Sequence, residues 1–227
     1  MCPPPNPSTL PQSTTPTNPT SIPSCVPTDP ISQAAYTHAA NKLHPLILSH
    51  SLRVYLHALE LSQQESTPWH DPAHLPLLFT AALFHDIGTT DLYNTGPTRF
   101  EIEGADAAVR FLKQYAVLEK DAHEVWIAIA LHDTPQIAER ISPLSRLIRL
   151  GVTIDFKRPS ALAMVSGEWV RDVEGEFPRG EIEKVLGDAV VEQARGCPEK
   201  APAACWPGGL YRSWLEDPGW EGVNRAF

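Results

Sequence analysis

A histidine and an aspartate stand side by side at positions 85 and 86, directly after the apolar run of residues 77–84. Such a run predicts a buried helix, and neighbouring residues on a helix point about 100° apart. His85 and Asp86 can therefore reach one point only where the helix ends against other elements. His50 and Asp155 lie on separate stretches with helical periodicity. Because histidine and aspartate are ordinary ligands of zinc, iron and manganese, the four residues together predict a metal site.

Each of these four residues also has an ordinary structural explanation. Asp155 could pair with Lys157 or Arg158 at the end of its helix, although helix C-termini disfavour negative charge. His50 could be a surface histidine or a hydrogen-bonded core histidine, and Asp86 could cap backbone amides. The occurrence of all four on three helical stretches favours the metal site over these separate explanations.

Further residues could act in the same cavity. The pair His132-Asp133 follows another apolar helix and repeats the helix-then-His-Asp order, which suits an acid, a base or a second metal position. Arg53 lies one turn after His50 and could face the site or form a salt bridge. His57 lies two turns after His50, where we favour a structural role.

Helices must position these residues, because the chain shows helical periodicity and no strand-like alternation of any length. Asp29 followed by Pro30 is a typical helix start. We therefore predict an all-α fold with a core of about six to eight helices. The pattern predicts helices at about residues 31–43, 46–63, 76–86, 102–114, 120–131, 143–155, 160–173, 180–194 and 210–216.

The composition divides the chain of 227 residues into three parts. Residues 1–29 are about one third proline, mixed with Ser, Thr and Asn. Such a segment buries too little apolar surface to offset its ordering entropy, so we expect a disordered arm. We expect residues 30–195 to form the helical core. Residues 196–227, which are rich in Pro, Gly and Trp, are expected to form a tail that packs on this core.

Charge and cysteine content limit the partners and the compartment. The net charge of −9 argues against nucleic acid or an anionic membrane as the main partner. No apolar run reaches the roughly 18–20 residues that span a bilayer. We expect a small-molecule substrate and leave a homo-oligomer open. A disulfide between Cys197 and Cys205 is possible, but free thiols suit the cytosol, which we expect because the N-terminus lacks a targeting pattern.

The residues singled out above resemble those of the HD-domain metalloproteins, whose helical core gathers one His, one His-Asp pair and one Asp around a metal. The resemblance covers about residues 30–180 and extends to one branch, the fungal-type cyanamide hydratases. The matching segments are S-H-S-L-R-V at 49–54, L-F-H-D-I-G-T at 83–89, T-R-F-E at 98–101 with Gly104, I-A-L-H-D at 129–133, residues 144–155, and F-P-R at 177–179.

This resemblance implies a metal site and a reaction. The implied metal is zinc, with iron or manganese as alternatives, and the implied ligands are His50, His85, Asp86 and Asp155. The implied reaction is that of a hydro-lyase, in which water adds to a small nitrile-type substrate. With cyanamide as the substrate, the product is urea.

The implied reaction assigns roles to five residues. Asp86 would orient the attacking water, and His132 would donate a proton because histidine titrates near neutral pH. Thr89 is placed with them as a catalytic residue that contacts the substrate amine or nitrogen, together with Arg99. Arg53 is expected to bind the substrate as well.

Two features of the chain depart from the family pattern and keep other functions open. Thr89 and Thr90 stand where many HD phosphohydrolases carry a lysine, which disfavours phosphate-ester chemistry. The tail lacks the Pro-Trp-Cys-His segment of cyanamide hydratases. The alternatives are therefore an HD-type phosphohydrolase and an enzyme of specialised metabolism that uses the same metal site on a larger substrate. A further alternative is a metal-binding docking module that uses the proline-rich arm.

Overall fold

The computed structural model describes residues 22–227, and within them the chain forms eleven α-helices and no β-strand. The predicted all-α class is therefore confirmed. Short 3₁₀ turns lie at Pro68–His70, Ile87–Thr89, Asp91–Tyr93 and Pro198–Lys200. The helices are α1 (Pro30–Ala40), α2 (Pro45–Gln64), α3 (Leu75–Phe84), α4 (Phe100–Lys113), α5 (Glu119–Ala130), α6 (Ala138–Ile141), α7 (Pro143–Asp155), α8 (Pro159–Leu162), α9 (Gly167–Glu176), α10 (Ile182–Gly196) and α11 (Trp206–Glu216).

Polar side chains just before several helices fix where these helices begin. The Asp29 carboxylate accepts hydrogen bonds from backbone N–H groups in the first turn of α1, and the Ser142 hydroxyl does the same for α7. Ser166 caps α9 in the same way. The single helix predicted over residues 160–173 was wrong for this reason, because the cap at Ser166 starts a new helix after α8.

Helix α3 lies at the centre of the bundle and contacts α1, α2, α4, α5 and α7. All of its residues from 77 to 84 are buried, as expected of a helix that is apolar around its whole circumference. Near the C-terminal end, α10 and α11 pack on each other, and α10 also packs on α2. No helix within residues 22–227 combines the length and the apolar character needed to cross a bilayer. The arrangement places the end of α3, with His85 and Asp86, in the interior.

The described part of the predicted N-terminal arm lies against the core, while residues 1–21 fall outside the described residues. The Val26 side chain is 4% exposed, and the Gln33 side-chain amide donates a hydrogen bond to the Pro27 carbonyl over 2.7 Å. The packed part of the chain thus starts before the predicted boundary at residue 30. Sequence composition missed this because a single buried valine anchors the segment.

Two cysteines in the described residues carry free thiols, namely Cys25 and Cys205. The disulfide between Cys197 and Cys205 that the sequence left open is therefore not formed. Burial raises the pKa of the Cys25 thiol to about 11, with a further contribution from the Glu176 carboxylate. The Cys25 thiol is thus held in its protonated, poorly nucleophilic form at neutral pH.

Two glycines let α4 approach the backbone that carries the His-Asp pair. A Cβ atom added at Gly88 would lie 2.0 Å from the carbonyl oxygen of Phe100, and one added at Gly104 would lie 2.7 Å from the carbonyl oxygen of Phe84. Both neighbours are backbone atoms, which cannot rotate away as a side chain can. The absence of side chains at these positions therefore sets the distance between α4 and residues 84–88.

Substitution of Gly88 by alanine is expected to destabilise the protein by about 1–3 kcal/mol, because the methyl group overpacks against the Phe100 carbonyl. Urea unfolding measures this loss. Gly175→Ala is the matched control, since Gly175 lies in α9 with no heavy atom within 4 Å of an added Cβ. The control should be neutral or more stable by up to about 1 kcal/mol. Equal stability of the two variants would contradict the close approach of α4.

Candidate metal centre

Three metal-competent side chains meet at the end of α3. His50 lies in the second turn of α2, and His85 and Asp86 directly follow α3; all three are at most 1% exposed. The Nε2 atoms of the two histidines are 3.1 Å apart. Asp86 Oδ2 lies 3.5 Å from Nε2 of His50 and 3.2 Å from Nε2 of His85. One donor atom from each residue lies within 4.8 Å of the other two.

Hydrogen bonds on the far side of each imidazole fix which nitrogen carries the proton. His85 Nδ1 lies 2.7 Å from the Ala82 carbonyl oxygen, and His50 Nδ1 lies 2.6 Å from Oδ2 of Asp155. Since a carbonyl or carboxylate oxygen can only accept, both Nδ1 atoms donate. In the neutral imidazoles the two Nε2 atoms then carry lone pairs, which face each other and the Asp86 carboxylate, as in metal-binding histidines.

The cluster contains hydrogen-bond acceptor atoms that no donor contacts. A bound cation would satisfy such atoms. Both carboxylate oxygens of Asp86 are buried and lack a hydrogen-bond partner. Burial is the largest single influence and would raise the pKa of the Asp86 carboxyl, but His85, His50 and His132 together outweigh it and lower this pKa below the ordinary range. Burial likewise opposes the charge on His85, yet the Asp86 carboxylate raises the pKa of that imidazole. Two imidazoles and a carboxylate suit zinc, iron or manganese, so the residues fit the implied metal.

Asp155, the fourth predicted ligand, is not among these donor atoms. Its carboxylate lies on the opposite side of His50, where Oδ2 accepts from His50 Nδ1. Oδ1 accepts from Nε of Arg53 over 2.6 Å, and Arg179 lies 3.2 Å from the same oxygen. With three partners, Asp155 orients His50. A direct bond from Asp155 to the metal stays a prediction.

Arg53, predicted to bind the substrate, is instead completely buried and fully paired. Its guanidinium forms two hydrogen bonds with the Asp155 carboxylate, of 2.6 and 2.9 Å. Its remaining terminal nitrogen donates to the carbonyl oxygens of Phe177 and Pro178. The guanidinium therefore has no N–H group directed at a substrate, and Arg53 links α2 to the end of α7 and to the segment after α9.

His57 lies on the same face of α2 and belongs to this structural network. Its Nδ1 accepts a hydrogen bond from the Trp169 indole over 3.1 Å. Burial lowers its pKa to about 4, although the Asp155 carboxylate acts in the opposite direction. His57 is thus a neutral histidine that ties α9 to α2.

His132, predicted to be a proton donor, has the geometry of a proton acceptor. Its Nδ1 donates to the Ile129 carbonyl over 2.7 Å, so its Nε2 carries the lone pair, 3.7 Å from Oδ1 of Asp86. Burial, followed by the nearby His85, lowers the pKa of His132 to about 4. The imidazole is therefore neutral near pH 7 and can donate only after it has accepted a proton. Within residues 22–227, one cluster of at least three metal-competent side chains has its donor atoms within 4.8 Å of one another. His132 does not belong to this cluster.

Thr89 and Arg99 also lie away from the predicted substrate contacts. The Thr89 hydroxyl donates to the Asp86 carbonyl over 2.7 Å, which fixes the turn after the His-Asp pair. Nε of Arg99 lies 3.7 Å from Oε1 of Glu101. Neither residue lines the cavity of about 290 Å³ that opens on His50, His85 and Asp86. Their side chains support the backbone and a neighbouring carboxyl group, respectively.

A cavity of about 290 Å³ opens on the three metal-competent side chains. His132 and Asp133 form part of its wall, and residues near the C-terminal end of the chain form another part. The Phe227 ring there lies 4.9 Å from the ring of Phe156 and 5.4 Å from that of Trp206. The segment after residue 196 therefore lines part of the cavity with aromatic rings.

Several cavity residues were missed by sequence reasoning, although one signal was present. Arg149, Val152, Thr153 and Phe156 line the cavity and recur at helical spacing along α7 and just after it. This periodicity, on the helix that ends with Asp155, could have identified them. Trp206 and Phe227 carried no such signal, because their position depends on how distant helices pack.

In a comparison with protein families, residues 47–151, slightly less than half of the chain, match the HD domain. The matched range contains His50, His85, Asp86 and His132 and ends just before Asp155. HD domains are in general metal-dependent hydrolases, many of them phosphohydrolases. No curated protein sequence matches the chain.

Proposed function

We propose that this HD-domain protein is a metal-dependent hydro-lyase that adds water to a small nitrile, with cyanamide as substrate and urea as product. The proposal is supported mainly by the Nε2 atoms of His50 and His85 and the unpartnered Asp86 carboxylate, which face the same cavity. The sequence resemblance to the cyanamide hydratases supplies the substrate.

Different residues of the cavity would bind the metal, orient the water and accept its proton. His50, His85 and Asp86 would hold the metal. A zinc, iron or manganese ion held there would supply a Lewis acid that lowers the pKa of water towards neutrality. The uncoordinated oxygen of Asp86 would orient the attacking water. His132 Nε2 would accept its proton, since this atom carries a lone pair and lies 3.7 Å from Asp86 Oδ1.

The proton balance needs no further reactant. Water forms a C–O bond to the nitrile carbon and gives one proton to His132 Nε2, while a C–N π bond breaks. His132 then returns this proton to the former nitrile nitrogen, which gives the isourea HO–C(=NH)–NH2. Transfer of the remaining O–H proton to the same nitrogen gives urea. The neutral resting imidazole and its pKa of about 4 suit this order, because a group of low pKa releases its proton readily.

Replacement of His132 by asparagine tests this role. The rate of urea release at saturating cyanamide should fall by about 10²–10⁴-fold, the usual contribution of a positioned acid or base, while bound metal per chain stays unchanged. The control is His123→Asn, since His123 lies on the same helix α5 but is exposed. Full turnover in His132→Asn would remove this residue from the mechanism.

A second candidate, hydrolysis of a phosphate monoester, is favoured by two arginines on the cavity wall. Arg149 and Arg158 both line the cavity, and phosphoryl transfer requires cationic groups around the phosphate. Arg149 is partly engaged, because it donates to the His132 carbonyl over 3.1 Å and lies 3.4 Å from Oε1 of Glu139. Release of inorganic phosphate from a panel of nucleotides, without urea from cyanamide, would favour this candidate.

The size of the cavity bears on the substrate. A volume of about 290 Å³ exceeds what cyanamide needs, since one water takes about 30 Å³ in the liquid. The aromatic rings of Phe156, Trp206 and Phe227 would suit a planar or apolar group on a larger nitrile. Larger nitriles should therefore be assayed beside cyanamide.

A further inference from the structure

A buried glutamate behind the cavity wall has no place in the mechanism above. Glu101 lies in the first turn of α4 and is completely buried, yet neither of its carboxyl oxygens has a hydrogen-bond donor. Asp133, which follows α5 and lines the cavity beside His132, has one such oxygen as well, Oδ2. Three buried acceptor atoms thus lack a donor at one place.

The two carboxyl groups are neighbours, and they can form a hydrogen bond with each other only if one of them carries a proton. Two carboxylates in contact repel each other, and neither offers a proton. A single proton on Glu101 removes the repulsion and supplies the missing donor. It also removes one uncompensated charge from the interior, where an isolated carboxylate is very unfavourable.

The charged groups around Glu101 do not compensate for a second negative charge. Nε of Arg99 is 3.7 Å from Glu101 Oε1, beyond hydrogen-bonding distance. Nζ of Lys200 donates to the Thr98 carbonyl and lies 4.0 Å from Glu103.

The position of Glu101 in the first turn of α4 would by itself favour the carboxylate. Burial, followed by the Asp133 carboxylate, nevertheless raises the pKa of Glu101 well above its ordinary value. Arg99 and the backbone act in the opposite direction and are outweighed.

We propose that Glu101 and Asp133 share one proton at neutral pH, and that this contact holds the Asp133 carboxylate at the cavity wall as an acceptor for an N–H group of the substrate. The second half rests on the proposed function, because cyanamide carries an amino group next to its nitrile. Glu101 is then a positioning residue, and Asp133 determines specificity for substrates with an N–H donor. A substrate without N–H groups would leave the carboxylate unpaired, which is unfavourable once the substrate has displaced water from the cavity.

The shared proton can be observed without any assay of activity. Protein with ¹³C-labelled glutamate side chains is titrated by NMR, and the Glu101 carboxyl signal is assigned by its absence in Glu101→Gln. We expect this carboxyl to stay protonated at pH 7, whereas an ordinary glutamate titrates near pH 4.3. A Glu101 signal that titrates near that ordinary value would overturn the proposal.

The substrate half is tested with two substitutions at Glu101 and two substrates. Glu101→Gln keeps an N–H donor to Asp133 and carries no charge, so the KM for cyanamide should stay within about threefold of wild type. Glu101→Leu removes the donor, and the KM for cyanamide should rise by about tenfold or more. Glu119→Gln, in the exposed first turn of α5, is the control that should change neither value.

N,N-Dimethylcyanamide keeps the nitrile group but has no N–H group. It therefore distinguishes a loss of N–H recognition from a general distortion of the cavity. The wild type and Glu101→Gln should prefer cyanamide over this analogue by about tenfold to a hundredfold in kcat/KM, and Glu101→Leu should lose most of this preference. An equal loss for both substrates would overturn the specificity role. A wild type that makes no urea while Glu101 stays protonated would overturn the proposed function and the substrate recognition by Asp133. The proton shared by Glu101 and Asp133 would still be supported.

Discussion

Replacement of His85 by alanine is expected to remove both the bound metal and the activity. His85 Nε2 lies 3.1 Å from Nε2 of His50 and 3.2 Å from Oδ2 of Asp86, so it supplies one of three donors at the centre. Loss of a residue that merely supports a ligand already lowers metal affinity by about 10–100-fold. Loss of a ligand itself should exceed this range. Elemental analysis and urea release, measured on the same sample, check both effects.

The control for this substitution is His123→Ala, which removes an exposed histidine from α5. It should keep the wild-type metal content and rate. Far-ultraviolet circular dichroism should show that both variants retain their helices, so that the loss in His85→Ala is local. A His85→Ala protein with one metal per chain would contradict the ligand assignment.

Replacement of Asp155 by alanine is expected to lower the free energy of unfolding by about 3–5 kcal/mol. The substitution leaves the guanidinium of Arg53, which is completely buried, without its carboxylate partner. Urea unfolding at pH 7 measures the change. The control is Asp188→Ala, because Asp188 is 59% exposed and pairs with Lys184 on the surface. Surface pairs contribute about 0–1 kcal/mol, so the control should change little.

A double substitution separates the two possible causes of this loss. If the unpaired charge of Arg53 is responsible, Arg53→Met combined with Asp155→Leu should be more stable than Asp155→Ala. The recovery should be incomplete, since Arg53 also donates to the carbonyls of Phe177 and Pro178. If the decrease in unfolding free energy of the double variant equals the sum of the decreases in the two single variants, the buried charge is not the cause.

The metal affinity of Asp155→Ala distinguishes two roles for this carboxylate. As a partner of His50 Nδ1, Asp155 should contribute about 10–100-fold to metal affinity. As a direct ligand, it should contribute as much as His85.

Much of the fold could be predicted from the sequence because its signals are local. Asp29 and Ser142 each precede a proline and a helical stripe, and each accepts hydrogen bonds from the first turn of its helix. The apolar run of residues 77–84 required burial, and α3 is the central helix. The same run predicted a helix that ends at Asp86, two residues beyond the observed end of α3 at Phe84.

The site was predictable in its residue types but not in its contacts. His50, His85 and Asp86 carry donor atoms that only a metal or a proton can share, and the sequence identified all three. Asp155 lies on the Nδ1 side of His50, where it also pairs with Arg53. Arg53 and Asp155 are 102 positions apart in the chain. No local pattern encodes such a pairing. The same holds for Phe227, whose ring reaches the cavity through the packing of distant helices.

The most direct test of the metal centre is the anomalous diffraction of zinc-loaded crystals. A single strong peak is expected about 2.0–2.2 Å from Nε2 of His50, Nε2 of His85 and a carboxylate oxygen of Asp86. A fourth bond to Asp155 would require its carboxylate to leave Arg53, and the same map would show it. A peak at another place, or none in protein that holds one zinc per chain, would contradict the metal centre described here.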